Sequence, residues 1–317
     1  MSPTFDPRSL SGYWQSEPGS AADLNYEIYL KADNDCGLTG YMIFKSQIGN
    51  MEIAFPLNGR YDPSVNSGGG IVLSWVVKGR LEELFMHSTT IWSAQYFAEE
   101  NKLVTQWLLM VSTKPKDFWN SANVGSAVYS RVSDLDDKAL AKMKELGESE
   151  SLTQGAHLAF DYTKLNGTWY NELHSSMTLT ADKYGNLTGT YTSSVGNAES
   201  DYSLAGRFDL YPPHAQGVSL GWSVAWKNAK KGDVKSSTAW GGLYFPEVGA
   251  AEGGQIQTHW LLNVSAPENK LWMATNLGSD VFTRREKPRV AEAEFSLTTA
   301  HPSIEEIVAK GEKIAQM

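Results

Sequence analysis

The 317-residue chain has one cysteine, no long apolar run and no excess of basic residues, and each shortage removes a class of protein. A single thiol, Cys36, excludes an internal disulfide framework and a cysteine-clustered zinc site. The apolar runs are only a few residues long, far short of the ~20 that cross a bilayer as a helix, so no membrane partner is expected. With 27 basic against 36 acidic residues, the formal charge is −9. That balance argues against nucleic acid or anionic lipid as the main partner, since both are held by Lys and Arg on phosphates. The opening ten residues lack the charged-then-apolar order of a secretory signal, which predicts a cytoplasmic chain. On that expectation the Asn-x-Ser/Thr tripeptides at Asn166, Asn186 and Asn263 are chance matches.

Catalytic signatures are scarce too. There is no phosphate loop and no dinucleotide fingerprint. Gly217-Val-Ser-Leu-Gly fits G-x-S-x-G formally, but it runs straight into a strand pattern ending at Trp226, whereas a nucleophile elbow needs a strand-to-helix turn. His87, His157, His174, His214, His259 and His301 show no paired ligand spacing, so neither a metal nor a cofactor is expected. His87 with Glu82 and Glu83 is the one acid–base cluster of its region, and it reads as a solvated charge run.

What the chain has in abundance is tryptophan (11) and glycine (28), and the tryptophans expose an internal repeat. Trp75, Trp92, Trp107 and Trp119 recur as Trp222, Trp240, Trp260 and Trp272, at offsets of 147, 148, 153 and 153. Gly-Arg-Tyr-Asp at 59–62 returns as Gly-Arg-Phe-Asp at 206–209, and Thr-Gln-Trp-Leu-Leu at 105–109 as Thr-His-Trp-Leu-Leu at 258–262. Two homologous modules follow, 10–131 and 165–284, with a linker at 132–164 and a tail at 285–317. Both are rich in short β-branched and aromatic stretches separated by turn signals such as Tyr211-Pro-Pro and Lys231-Gly-Asp. An all-β antiparallel meander of about eight strands per module is expected, closing into a barrel that removes its own edges and is wide enough to enclose one small ligand. Two segments differ. Ser133 to Leu146 and Ser303 to Met317 carry cap residues and one apolar side, which predicts a short helix after each barrel.

The second module gathers Asn171, Ser175, Tyr191, Ser193, Ser236, Thr238 and Asp280 on strands that also carry Trp226, Trp240, Trp260 and Trp272. Rigid indole walls with hydroxyl, amide and carboxylate groups at one end suit a compact ligand with an apolar body and a polar head.

Gly-Thr-Trp-Tyr-Asn at 167–171, Leu-Thr-Gly-Thr-Tyr at 187–191, Ser-Val-Gly-Asn-Ala-Glu-Ser at 194–200 and Leu-Gly-Trp-Ser-Val-Ala-Trp-Lys-Asn at 220–228 resemble the avidin and streptavidin family. So does the run from Trp272 to Asp280 and Phe282. The resemblance covers essentially all of the second module and is nearest to the bacterial streptavidin branch. It implies two tandem avidin-like up-and-down barrels and biotin as a non-covalently held ligand. Asn171, Ser175 and Tyr191 match the donors to the ureido oxygen, and Ser193 and Asp280 the acceptors of the two ureido N–H groups. Thr238 matches the contact to the ring sulfur. Ser236 and the backbone of Asn197 match the groups on the valerate carboxylate, with Val195 and Gly196 in the closing loop. Trp226, Trp240 and Trp260 match the aromatic box, and Leu262 adjoins them. Trp272, with Trp119 as its first-module counterpart, matches the lid that reaches a neighbouring barrel. Two chains would then form a homodimer with four barrels.

The first module keeps Trp92, Trp107 and Trp119, with Ser20, Ser88, Thr90 and Asn50 at ligand-facing positions. It has Ser16 for Asn171, Gly79 for Trp226 and Ala127 for Asp280. Met42 to Gln47, with two extra residues, offers no equivalents for Tyr191 and Ser193. Tight biotin binding is therefore expected in the second module only. The first is then either a structural partner or a re-tuned pocket, made more apolar by Met42, Phe44, Phe85 and Met86. The competing reading is a cyclase- or isomerase-type enzyme, or a carrier, working from that altered pocket.

Overall fold

Alternation decides which way each strand faces. Lys102–Val111 and Gln255–Val264 lie at matching places in the two modules and show the same alternation of buried and half-buried residues. The computed structural model describes residues 5–18, 26–45, 52–64, 68–81, 86–134, 141, 159–194, 201–226 and 235–286. The first barrel comprises β1 (Gly12–Ser16), β2 (Tyr26–Ala32), β3 (Gly37–Lys45), β4 (Glu52–Asp62), β5 (Ile71–Leu81), β6 (Met86–Phe97), β7 (Lys102–Val111) and β8 (Ala122–Ser133). The second comprises β9 (Gly167–Tyr170), β10 (Ser176–Ala181), β11 (Asn186–Thr192), β12 (Asp201–Phe208), β13 (Val218–Trp226), β14 (Ser236–Phe245), β15 (Gln255–Val264) and β16 (Thr275–Thr283). Each strand pairs with the next and the last closes on the first, giving two closed antiparallel up-and-down barrels as expected. The helices expected after the barrels fall outside the described residues, apart from Ala141, which is helical. Ser133, expected as a helix cap, is the last residue of β8 and pairs with Tyr13.

Local contacts repeat between the halves. Trp14 Nε1 donates to Leu10 O at 3.2 Å, as Trp169 Nε1 does to Leu165 O at 2.9 Å. Gly40 and Gly189 both take positive φ, and a Cβ on either would sit 1.8 Å from a carbonyl oxygen of the preceding strand. This shared close approach locks the same register into β2–β3 and β10–β11: Leu30 faces Gly40 as Leu179 faces Gly189.

The barrels pack side by side through β4–β6 and β12–β14. Val76, Ile91, Leu108 and Met110 form an apolar cluster with Ala239 and Leu261 of the second barrel. Gly221 and Gly241 leave room for it, since a Cβ on either would come within 3.1 Å of Ile91. All of β14 and nearly all of β13 are buried, because one face fills the barrel and the other meets the partner barrel. Polar pairs cross the interface as well. Ser74 and Ser223 hydroxyls lie 2.6 Å apart, and Gln95 Nε2 donates to Asn263 Oδ1 at 2.7 Å. Ser219, the serine of the G-x-S-x-G match, is the second residue of β13, not a strand-to-helix elbow, and accepts from Thr89 Oγ1 at 3.2 Å. His87 is no solvated charge: its Nδ1 lies 2.7 Å from Oδ2 of the fully buried Asp209, with Lys78 3.8 Å from Oδ1.

Candidate functional site

The expected polar and aromatic residues of the second module meet inside one end of its barrel. Asn171 follows β9, and its Oδ1 accepts the backbone N–H groups of Leu173 at 3.1 Å and Ser175 at 2.9 Å. That local turn fixes the carboxamide before any ligand arrives. Ser175 is buried, and its Oγ accepts the Ser194 N–H at 3.0 Å. Tyr191 is buried as well. Burial above all, with the nearby Asp280 charge, raises its phenol above the ordinary value, so the hydroxyl stays a proton donor. Ser193, just after β11, is half-buried.

Asp280 projects from β16 and is 5% exposed. Trp240 Nε1 donates to its Oδ2 at 2.8 Å. Burial lifts its pKa from the ordinary 3.8 to about 6; hydrogen bonds from Trp240, Trp260 and Asn171 oppose that rise, and the Glu172 charge adds to it. The aromatic walls come from adjacent strands. In the sheet ladder Trp240 faces Trp260, Thr238 faces Leu262 and Trp226 faces Ser236, so six of the expected residues share one patch of β13–β15. Trp226 Nε1 donates to Thr238 Oγ1 at 2.7 Å, which holds the indole edge toward β14. Trp240 stacks on Tyr191 with ring centroids 4.9 Å apart. Tyr202 meets the Trp226 ring edge-on at 4.9 Å. Tyr202 is a residue that sequence reasoning missed, although it alternates with Leu204 and Gly206 along β12. Glu172 was missed too; its Oε2 accepts the Val281 N–H at 3.0 Å beside Asp280.

Val195, Gly196 and Asn197 lie outside the described residues, as does the side chain of Trp272. Trp119 stands at the end of a 3-10 turn and is 79% exposed, so it covers neither barrel of its own chain. Among the described residues no three His, Cys, Asp or Glu side chains gather to share a metal ion.

Two closed eight-stranded barrels with this cluster at one end agree with what sequence comparison finds. The sequence model of the avidin family matches residues 5–132 and again 160–285, one match per barrel. The chain belongs to the avidin family. Avidin-related protein 4/5 of Gallus gallus is 30% identical over 122 residues, which cover 38% of this chain and 77% of that protein.

The first avidin barrel keeps the frame of the site and changes its chemistry. Through the shared β2–β3 register, Met42 stands where Tyr191 does, and Tyr26 and Phe44 occupy the next step of the ladder, which in the second barrel falls on Ser175 and Ser193, one residue past the Ser176–Thr192 pair that ends β10–β11. The register thus supplies the equivalents that the inserted residues conceal in the sequence. Thr105 Oγ1 donates to Ala127 O at 2.7 Å as Thr258 Oγ1 donates to Asp280 O at 3.0 Å, which puts Ala127 in the carboxylate's place. Gly79 faces Ser88 across the ladder as Trp226 faces Ser236. A cavity of about 100 Å³ remains, walled by Trp92 and Trp107 and by Met42, Phe44, Phe55 and Val77.

Proposed function

We propose that the second barrel captures biotin without covalent chemistry, and that the first barrel has given up this ligand. A ureido group presents one carbonyl oxygen flanked by two N–H groups. Asn171, Ser175 and Tyr191 are suited to the oxygen, and Asp280 and Ser193 to the N–H groups. One observation carries the reading: Asp280 is a buried carboxylate oriented by the Trp240 N–H at 2.8 Å, within reach of Asn171 and of the Tyr191 stack. A buried acceptor of this kind rewards a ligand that donates to it and penalises one that does not. Trp226, Trp240, Trp260 and Leu262 supply the apolar walls, Thr238 the contact to sulfur, and Ser236 with the 195–197 segment the carboxylate end. Binding follows from a pocket that is largely formed in advance, with little ordering left to do.

The same proposal extends to assembly. Trp119 is 79% exposed, Val124 of β8 66% and Leu277 of β16 61%. Apolar side chains this exposed on both barrels favour association with a second chain. Two chains would then make four barrels, with Trp119 and Trp272 passed between chains as lids.

Native mass spectrometry with excess biotin tests both parts. One biotin per chain on a two-chain assembly is expected, with occupancy lost in Asp280→Ala and in Trp226→Ala. Two biotins per chain would show that Ser16, Gly79 and Ala127 do not impair the first site; none would sink the biotin assignment.

A further inference from the structure

We propose that the outer face of β1–β4 in the first barrel is a docking surface for the linker segment 135–146 of the same chain. The surface has no counterpart on the second barrel. The inference is independent of what either barrel binds.

The first reason is a difference between the two outer faces. In the first barrel Tyr13 faces Tyr29 and Tyr29 faces Tyr41 across the ladder, and the Tyr13 and Tyr29 rings stack with centroids 4.7 Å apart. The second barrel holds Thr168, Thr178 and Thr190 at these positions. Two residues along, Glu27, Ile43 and Ala54 form a row where the second barrel has Ser176, Thr192 and Asp201. Met42, Phe44 and Phe55 line the cavity inside, so by alternation Ile43 and Ala54 point out of the barrel. They are nevertheless fully buried, and Glu27 is 4% exposed. Thr178, Thr190, Thr192 and Asp201 are all exposed. The barrel–barrel contact does not account for this. The second barrel meets β4 further along, where Asn58 Nδ2 donates to Asn186 Oδ1 and the Arg60 N–H to Ser223 Oγ. Tyr29 and Tyr41 pack on Ile43 and Ala54 from the adjacent row and shield one flank only.

The second reason is where the linker starts and how it is patterned. It leaves β8 after Ser133, which pairs with Tyr13, the first rung of the tyrosine ladder. At 1.5 Å per residue a helix from Leu135 to Leu146 is about 18 Å long, and strands ~4.8 Å apart put β4 about 14 Å from β1. One such helix therefore crosses the whole face. At about 100° per residue, Leu135, Ala139, Met143 and Leu146 fall within roughly 80° of one another, and Ala141 lies on the opposite side. Ala141 is helical and exposed, as it must be if the apolar stripe is turned to the barrel. Lys138 and Lys142 stand beside the stripe in the sequence pattern and complement the Glu27 carboxylate.

Hydrogen exchange of the full chain, read by mass spectrometry, tests the docking. A helix this short is marginal in water by itself, so slow exchange at 137–146 requires a surface to hold it. The triple variant Tyr29→Thr, Tyr41→Thr, Ile43→Thr installs the residues that the second barrel carries at these positions. It should speed exchange at 137–146 by about tenfold or more and leave β6 and β7 unchanged. If that variant does not fold, a nitroxide on Ala141→Cys decides, since it sits on the exposed side and Cys36 is buried. The label should broaden the Ile43 methyl signal, assigned by its loss in Ile43→Val. The proposal is overturned by linker amides that exchange freely in the wild type, by protection that survives the triple variant, or by an Ile43 methyl that the label leaves sharp. Protection that grows with protein concentration would make the occupant the linker of a second chain, and overturns it too.

Discussion

Asp280→Asn replaces a carboxylate whose ionisation the second barrel resists. Burial lifts this group from 3.8 to about 6 despite the hydrogen bonds that Trp240, Trp260 and Asn171 give it. At 1.36 kcal/mol per pKa unit the rise is equivalent to about 3 kcal/mol. The sign follows from proton counting. Between about pH 4 and pH 6 the folded barrel keeps a proton that the unfolded chain has released, so stability falls as pH rises through that window. The contribution is complete below the unfolded pKa and lost above the folded one. Asparagine has nothing to ionise. The variant should therefore gain about 2.5 kcal/mol over wild type between pH 4 and pH 8, on top of any constant offset from its own hydrogen bonding. Guanidinium unfolding of both proteins at the two pH values, without ligand, gives the number directly, and all other titrating groups cancel in the comparison. A change below about 1 kcal/mol, or one of opposite sign, would refute the argument that the carboxylate is desolvated. Biotin adds a second reading of the same group, because ureido N–H donors favour the charged form. Affinity should be flat above pH 6 and fall below it, by up to tenfold per pH unit.

Two glycines separate structure from binding. A Cβ at Gly278 would lie 2.1 Å from the Trp260 ring, and one at Gly125 2.2 Å from the Trp107 ring. Both alanine variants should lose about 1–3 kcal/mol by overpacking. Only Gly278→Ala, which displaces a wall of the second site, should weaken biotin in titration calorimetry. Asp209→Ala removes the buried charge that His87 and Lys78 share across the interface and should cost about 2–4 kcal/mol at pH 7 in guanidinium unfolding. Burial opposes the Asp209 charge, but the His87 hydrogen bond and the Lys78 charge outweigh it and hold the carboxyl below its ordinary range. Its contribution is therefore present above the ordinary carboxylate pKa and disappears as pH falls through the lower folded one, so wild type and variant should converge in acid.

The two barrels were legible because a β-barrel needs large side chains at fixed places. Trp92 and Trp240, or Trp107 and Trp260, cannot drift along a strand without leaving the interior, so their spacing carries the fold. The gathering of polar residues in the second module was readable for the same reason, since Tyr191 and Asp280 sit on strands, and Asn171 directly after one, whose register leaves no slack. Two things could not be read. Equivalents of Tyr191 and Ser193 were hidden because the inserted residues shift linear spacing while leaving the β2–β3 ladder, pinned at Gly40, untouched. The environment of His87 was hidden as well. Its partner Asp209 is 122 residues away, and only the packing of the two barrels brings them together.

Fusion of two barrels across the β4–β6 and β12–β14 face also frees them from each other's history. Where identical subunits form such a pair, every substitution in a binding pocket arrives in both members at once, and a change that ruins one site ruins all. Here the paired halves are encoded separately yet cannot dissociate from one another, because the chain itself holds each at high effective concentration beside its mate. Ala127 and Met42 could be accepted on one side while Asp280 and Tyr191 stayed on the other. A symmetric architecture has in this way become a scaffold on which two pockets change independently.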